Sequence, residues 1–515
     1  MLFERVKPLD QILATAEKRS LKRQLGAFSL TMLGIGAIIG TGIFVLTAVA
    51  AQKAGPGMMF SFVLAGIVCA LTALVYAEIA AMIPVAGSAY TYSYAVIGEL
   101  VAWMVGWALI LEYAVAASAV SVGWSGYANG FLDHWTFFGL VSEGALGLPH
   151  WLQAGPADTI TLATGEVVKG GFNLVAFLVA MFVTVLLVLG TSKSAKFTSA
   201  LVLVKIAALS LFIVLTIGVA NTANFTPLLP NGWGTPLSGT GVLGAAASIF
   251  FAYVGFDAVS TAAEETENPN RNIPIGLIGS LAICTVFYLL VAYCAIGSAN
   301  GVGAAQPGSE FSQAKDPLAW ILRSIEHPVA AKLVGGAAIL ALPSVVLMMI
   351  YGQTRILFTM ARDGLMPAAF AKVHPTFHTP HVVTIITGVV CALFAAMFPV
   401  GVLADISNAG TLFAFFMVAL GVVMLRKSDP GRHRPFRTPM VWLVGPLAMA
   451  GCVLLFFSLG WNPTIKFFCI WAVLGLIVYF AFARRNSALA PGNAELPGDP
   501  LPATPRFHEG PDPGP

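Results

Sequence analysis

Apolar residues along this chain come in runs of about 20, separated by short polar stretches. A run of that length crosses a hydrocarbon core roughly 30 Å thick as an α-helix. The runs fall at about 27–51, 58–83, 100–128, 172–190, 197–220, 241–263, 275–298, 331–361, 381–398, 402–425, 440–460 and 464–483. They predict an all-α membrane protein of twelve transmembrane helices. Two of the twelve are interrupted. The first holds Gly34, Gly36, Gly40 and Gly42, with Thr41 between the last two. Glycine in a helix interior costs roughly 1 kcal/mol relative to alanine, so the cluster invites the helix to open near the membrane centre. Small residues also let helices pack closely, and the first run alone leaves both readings open. The sixth run, F-F-A-Y-V-G-F-D-A-V-S-T from Phe250 to Thr261, is broken in the same way by Gly255 and Asp257. Breaks at corresponding positions of two five-span halves are the sequence sign of an inverted repeat. Backbone left open at that depth must face protein or a water-filled cavity.

The rest of the chain divides around this core. Residues 1–26 read as a cytoplasmic leader, 27–425 as a ten-helix inverted-repeat core, 426–485 as two additional spans, and 486–515 as a disordered tail rich in proline and glycine. After the second span, P-V-A-G-S-A-Y-T-Y-S-Y from Pro84 to Tyr94 breaks the helix and suits an interfacial segment. The longest outside connection runs from Phe131 to Gly171. Within it, Thr159 to Leu162 and Val167 to Lys169 flank Thr164-Gly165 and predict a short β-hairpin of structural role. Residues 300–330 read as an outside loop with one short helix.

Composition agrees with the pattern and narrows it. Hydrophobic residues make up 57% of the chain and charged ones 10%, which excludes a soluble globular protein. Ala48-Val49-Ala50 resembles a signal cleavage site, but the run before it is too long and a charged leader precedes it. Of the Lys and Arg, Lys205 and Arg355 lie within spans, and Lys53, Lys169, Lys315, Arg323, Lys332 and Lys466 fall on the far side from the N-terminus. The rest share the N-terminal side, which puts both termini in the cytoplasm and the protein in the cell (inner) membrane. The net charge of +3 is therefore topological and gives no basic patch for nucleic acid. All six cysteines, Cys69, Cys284, Cys294, Cys391, Cys452 and Cys469, fall in predicted spans and read as packing residues. His374, His378 and His381 are interrupted by Pro375 and Pro380, so no shared helical face and no metal site is expected. No phosphate-binding loop, zinc-protease or nucleophile-elbow pattern points to an enzyme, and no cofactor is expected.

Ionisable residues deep in the spans are functional candidates. Lys205 lies about nine residues from the cytoplasmic interface, roughly 13 Å at 1.5 Å per residue. Its stem covers about half of that, so it cannot fully snorkel. Burial disfavours the charged form of an amine, which makes this lysine a candidate proton carrier. The competing reading is a structural cation paired with Glu78, Glu112 or Asp257. Glu112, with small residues Ala108, Ala116, Ala119 and Gly123 on or near its face, looks into the bundle, either supporting the broken helices or held as a structural acid. Glu78 lies near the end of its span and suits an interfacial role. Arg355 is about two turns from the cytoplasmic end of the eighth span and reads as a gate residue, with snorkelling as its rival.

The motifs G-A-I-I-G-T-G-I-F, P-V-A-G-S-A-Y, F-F-A-Y-V-G-F-D and E-E-T-E-N-P-N-R-N-I-P together resemble the amino acid–polyamine–organocation transporters. Within them the chain is similar to bacterial relatives of the cationic amino acid transporters, over roughly residues 20 to 485. The resemblance implies a five-plus-five inverted repeat with two extra helices, discontinuous first and sixth helices, and alternating access. It implies a substrate carboxylate at Ile38, Thr41, Gly42 and Ile43, where free N–H groups and the helix dipole favour an anion. It implies an ammonium at the carbonyls of Phe251, Ala252 and Val254, with Phe251 also the outer gate. Lys205 matches the fifth-helix lysine of proton-coupled relatives and would bridge the first and eighth helices when charged. Glu112 and Asp257 would support the site, and the side-chain pocket would include Ser118 and the Ser344–Met348 region.

The expected function is thus import of amino acids coupled to protons, with the lipid bilayer as setting. A small membrane-protein subunit is left open. An exchanger of an amino acid for its amine is the alternative, and an amino acid sensor with the same fold a further one. Neutral and cationic substrates are not separated by the sequence.

Overall fold

The computed structural model describes residues 5–7, 25–84, 88–133, 150–161, 167–190, 195–261, 266–299, 305–377 and 379–490. The first apolar run forms three helical pieces, α1 (Ala27–Ile38), α2 (Thr41–Phe44) and α3 (Leu46–Ala54). It is followed by α4 (Met58–Met82), α5 (Ser88–Val96), α6 (Glu99–Asp133), α7 (Leu174–Leu189) and α8 (Ala195–Ile217). The sixth run is split into α9 (Gly241–Tyr253) and α10 (Ala258–Thr261), and α11 (Pro269–Ser298) follows. Two short helices, α12 (Glu310–Gln313) and α13 (Pro317–Ser324), then lead into α14 (Pro328–Arg362). Then come α15 (His381–Met397), α16 (Val400–Ser428), α17 (Val441–Ser458) and a last span, Trp461–Asn486, that contains α18 (Lys466–Val478).

Among the described residues, eight helices are long and apolar enough to cross a membrane, and four apolar helices are shorter: α1, α7, α9 and α15. Two of the short ones, α1 and α9, end at the interruptions foreseen from glycine. Large apolar side chains such as Phe182, Val214, Leu340 and Trp442 are more than half exposed on the outer faces, as a lipid-facing surface requires. The hairpin forms as β1 (Thr159–Thr161) against β2 (Val167–Lys169), antiparallel, with Ile160 opposite Val168. The 305–324 stretch carries two short helices where one was expected. Most of the leader, and residues 491–515, lie outside the described residues, as does His378.

The core packs around the broken first span. Helix α11 lies along α1, α6 packs on α14 and α16, and α9 lies between α3 and α4. Small residues make these approaches possible. A Cβ on Gly123 of α6 would come within 2.5 Å of the Thr41 methyl, and one on Gly410 of α16 would press 2.8 Å from the Ala108 carbonyl. Glu78, near the end of α4, is buried. Arg426 donates to both of its oxygens at 2.7 and 2.9 Å, and the Thr438 N–H adds a third bond at 2.8 Å. Glu78, expected near the interface, thus sits four residues before the end of α4 in a polar knot that ties α4 to the end of α16 and the approach to α17.

Candidate functional site

The two breaks lie against each other. At the first, Gly40 is extended and carries the chain from α1 to α2. At the second, α9 stops at Tyr253, and Gly255 takes φ +114°, a conformation L side chains rarely adopt. A Cβ on Gly255 would sit 2.9 Å from the carbonyl carbon and oxygen of Ala37, so the unwound sixth segment runs over the end of α1. A Cβ on Gly42 would collide with the Cα and Cβ of Ala252, so α2 touches the end of α9. Four glycine and alanine positions thus bring the start of α2, the ends of α1 and α9 and the unwound sixth segment together.

This arrangement leaves backbone groups to be satisfied. The first N–H groups of α2, among them Gly42 and Ile43, have no intrahelical acceptors by position. The Thr41 side chain is fully buried, and its hydroxyl has no hydrogen-bond partner among the described residues. On the other side, the Tyr288 hydroxyl of α11 lies 2.9 Å from the Ile38 carbonyl and 2.8 Å from the Ala252 carbonyl. With one proton, it donates to one of them at a time, and a carbonyl has two lone pairs. An ammonium at Ala252 would therefore share that oxygen with Tyr288. Tyr288 was not among the residues expected from sequence, because nothing distinguishes it inside an apolar run.

A small cavity lies at the junction, with about 10 Å³ open to a water-sized sphere, room for roughly one water. Ile38, Thr41 and Gly42 line it from the first span, and Phe251 and Val254 from the sixth. Val120, Val345 and Met349 close the remaining side. Of the expected residues, Ile43 and Ala252 are buried beside this cavity without lining it. Ser118 turns away, donating to the Ala114 and Cys391 carbonyls at 2.8 and 2.9 Å. Ser344 donates to Ala341 at 2.6 Å, and Met348 does not line the cavity. Val120 and Val345, two residues and one residue further on, line the cavity. The lining side chains are therefore apolar except for Thr41.

Lys205 is buried, and its ammonium donates to the Gly36 carbonyl on α1 at 2.8 Å. Among the described residues it forms no ion pair, and Glu78 is taken by Arg426. Helix α8 packs on both α1 and α14, so the lysine stands where those elements meet, although its bond reaches only the first. Glu112 is buried with one carboxylate oxygen unpartnered, beside Thr411 and Asp257. Its backbone carbonyl accepts from Ser407 at 3.1 Å. Asp257, in the unwound sixth segment, accepts from the Tyr113 hydroxyl at 3.4 Å. Arg355 is exposed, with its guanidinium 4.6 Å from the centre of the Tyr351 ring and bonded to that hydroxyl. It is not part of the cavity lining.

The other candidates are placed as well. His374 Nδ1 accepts from the N–H groups of Thr376 and Phe377, which fits a turn better than a metal ligand. Cys469 is exposed where the other five cysteines are buried.

Residues 25–482 match the family described as amino acid permease. The chain is 43% identical to the branched-chain amino acid permease BcaP of Bacillus subtilis, over 95% of this chain and 99% of that one. It is 41% identical to the methylthioribose transporter of the same organism, over 94% and 98%. It is 35% identical to the chloroplastic cationic amino acid transporter 9 of Arabidopsis thaliana, over 84% and 71%. With two broken helices meeting at a buried, unpartnered hydroxyl and a family match along nearly its whole length, the chain belongs to the amino acid permeases of the amino acid–polyamine–organocation superfamily.

Proposed function

We propose that this protein imports neutral amino acids with aliphatic side chains, coupled to protons, by alternating access across the cell membrane. The observation that carries the proposal is the Thr41 hydroxyl, buried and unpartnered beside the free end of α2. Its natural complement is an anionic oxygen, and the carboxylate of an amino acid supplies one. The carbonyls of Phe251, Ala252 and Val254 receive the ammonium at the end of α9. The side chain then meets Val120, Val345 and Met349. Among the described residues no carboxylate lines that cavity, so a cationic side chain would be buried there without a partner, at a cost of several kcal/mol. The branched-chain specificity of the Bacillus relative agrees with this lining.

The wider scheme follows from the same site. Twelve spans form a five-plus-five inverted repeat with two extra helices, and both termini face the cytoplasm. Phe251 closes the outer side of the cavity. Lys205 is the proton carrier: charged, it holds α1 through the Gly36 carbonyl, and neutral, it releases that helix. Proton loss then shifts the balance between inward- and outward-facing states. Glu112 and Asp257 brace the unwound sixth segment.

The test is uptake into liposomes holding the purified protein. An imposed inward proton gradient should concentrate labelled leucine, with isoleucine and valine competing and arginine not. Accumulation only into vesicles preloaded with an amine would favour exchange instead. Competition by methylthioribose but by no amino acid would overturn the proposal.

A further inference from the structure

A buried ion-pair cluster lies one helical turn beyond the cavity, built from residues the binding scheme does not use. Lys53, in the last turn of α3, places its ammonium 2.7 Å from Asp405 of α16 and 2.6 Å from the Ser248 hydroxyl of α9. Ser248 in turn donates to the second oxygen of Asp405. The two charged side chains are 18% and 9% exposed, so the pair is largely withdrawn from water. One turn further along α16, Asn408 donates to the carbonyls of Ala247 and Ser248 at 2.7 and 3.1 Å. Ser248 lies three residues before Phe251, on the same face of α9, and Phe251 lines the cavity. The cluster is therefore the next layer outward from the substrate position. It joins the second half of the broken first span and the first half of the broken sixth span to α16.

We propose that Lys53, Ser248 and Asp405 form an outer latch, and that substrate enters only when it parts. The proposal rests on the alternating-access reading above, because a static binding protein would have no use for a latch. The physical reason is that both helix halves bound by Lys53 and Ser248 belong to the broken spans, whereas Asp405 belongs to a continuous helix. Swinging the broken halves away from α16 must separate Lys53 from Asp405. The neighbouring Gln52 adds a second tie, since its side-chain oxygen accepts from the Gly308 N–H and the Ser312 hydroxyl at 2.7 and 2.8 Å. In the closed state the end of α3 is thus held on two sides. All three latch residues are positioning residues and need not touch the substrate.

The test uses a cysteine in place of Val345, which lines the cavity. Its reaction with a membrane-impermeant maleimide is followed from outside intact cells, with the Val345-containing protein as background. Lys53→Ala and Asp405→Asn should each raise the labelling rate at least fivefold, and adding leucine should lower it. The exchanged pair, Lys53→Asp with Asp405→Lys, should bring the rate back towards that of the parent, which a mere packing defect would not do. If both single variants label at the parental rate while leucine still changes that rate, the latch is wrong and alternating access stands. If no variant labels and leucine has no effect, the alternating-access reading fails and takes the latch with it.

Discussion

Thr41 and Gly42 sit side by side, yet they constrain the site in different ways. A buried hydroxyl without a partner destabilises the substrate-free protein, because its desolvation is uncompensated. Replacing it by an isosteric methyl, Thr41→Val, should therefore raise the thermal midpoint of the substrate-free protein slightly. The same change should weaken leucine binding about tenfold, the worth of one hydrogen bond to a charged group. A midpoint that falls together with affinity would show the hydroxyl to be structural. Gly42 acts by shape, since any side chain there enters the space of Ala252. The glycine breaks are legible in sequence because at Gly42 and Gly255 a side chain would run into the backbone of Ala252 and Ala37. Tyr288 was not legible, because a tyrosine in an apolar run carries no signal until its hydroxyl is seen between two open helix ends.

Elements were read more securely than the faces they present. The apolar runs located the helices to within a few residues, and the turn residues located the hairpin strands. Helix rotation was another matter. Two residues along an α-helix turn the side chain by about 200°, so Ser118 and Val120 point to different neighbours. Ser118 donates to the Cys391 carbonyl, whereas Val120 faces the cavity. Charges at helix ends were equally ambiguous: Lys53 was counted with the loop charges and proves to be paired with Asp405 across two helices. Glu78 belongs to the same group. Glu78→Ala would leave Arg426 and the buried Arg434 without their carboxylate, a loss of about 3–5 kcal/mol for a buried pair broken on one side. A thermal denaturation midpoint in detergent should fall markedly, with Glu78→Gln intermediate. An unchanged midpoint in Glu78→Ala would mean that the knot adds nothing to stability.

At the scale of the whole molecule, the structure holds a closed arrangement around a cavity too small for an amino acid. In the proposed alternating-access scheme the broken spans move against the continuous ones, and Lys205, buried on α8, donates to the Gly36 carbonyl of α1 from outside that moving part. Lys205→Ala should abolish proton-driven accumulation of leucine while leaving its binding to purified protein within about tenfold of the parent. Normal accumulation by that variant would make the lysine a structural residue. The similar proteins include a branched-chain amino acid permease and a methylthioribose transporter, and a shared family does not by itself fix the compound carried.

The claim on which the rest depends is that the junction of the broken helices is the amino acid site. Equilibrium binding of labelled leucine to the purified protein and to Gly42→Val tests it most directly. Saturable binding to the parent, displaced by isoleucine and valine, and none to the variant, is the predicted result. Equal binding to both proteins would place the substrate elsewhere and contradict the account.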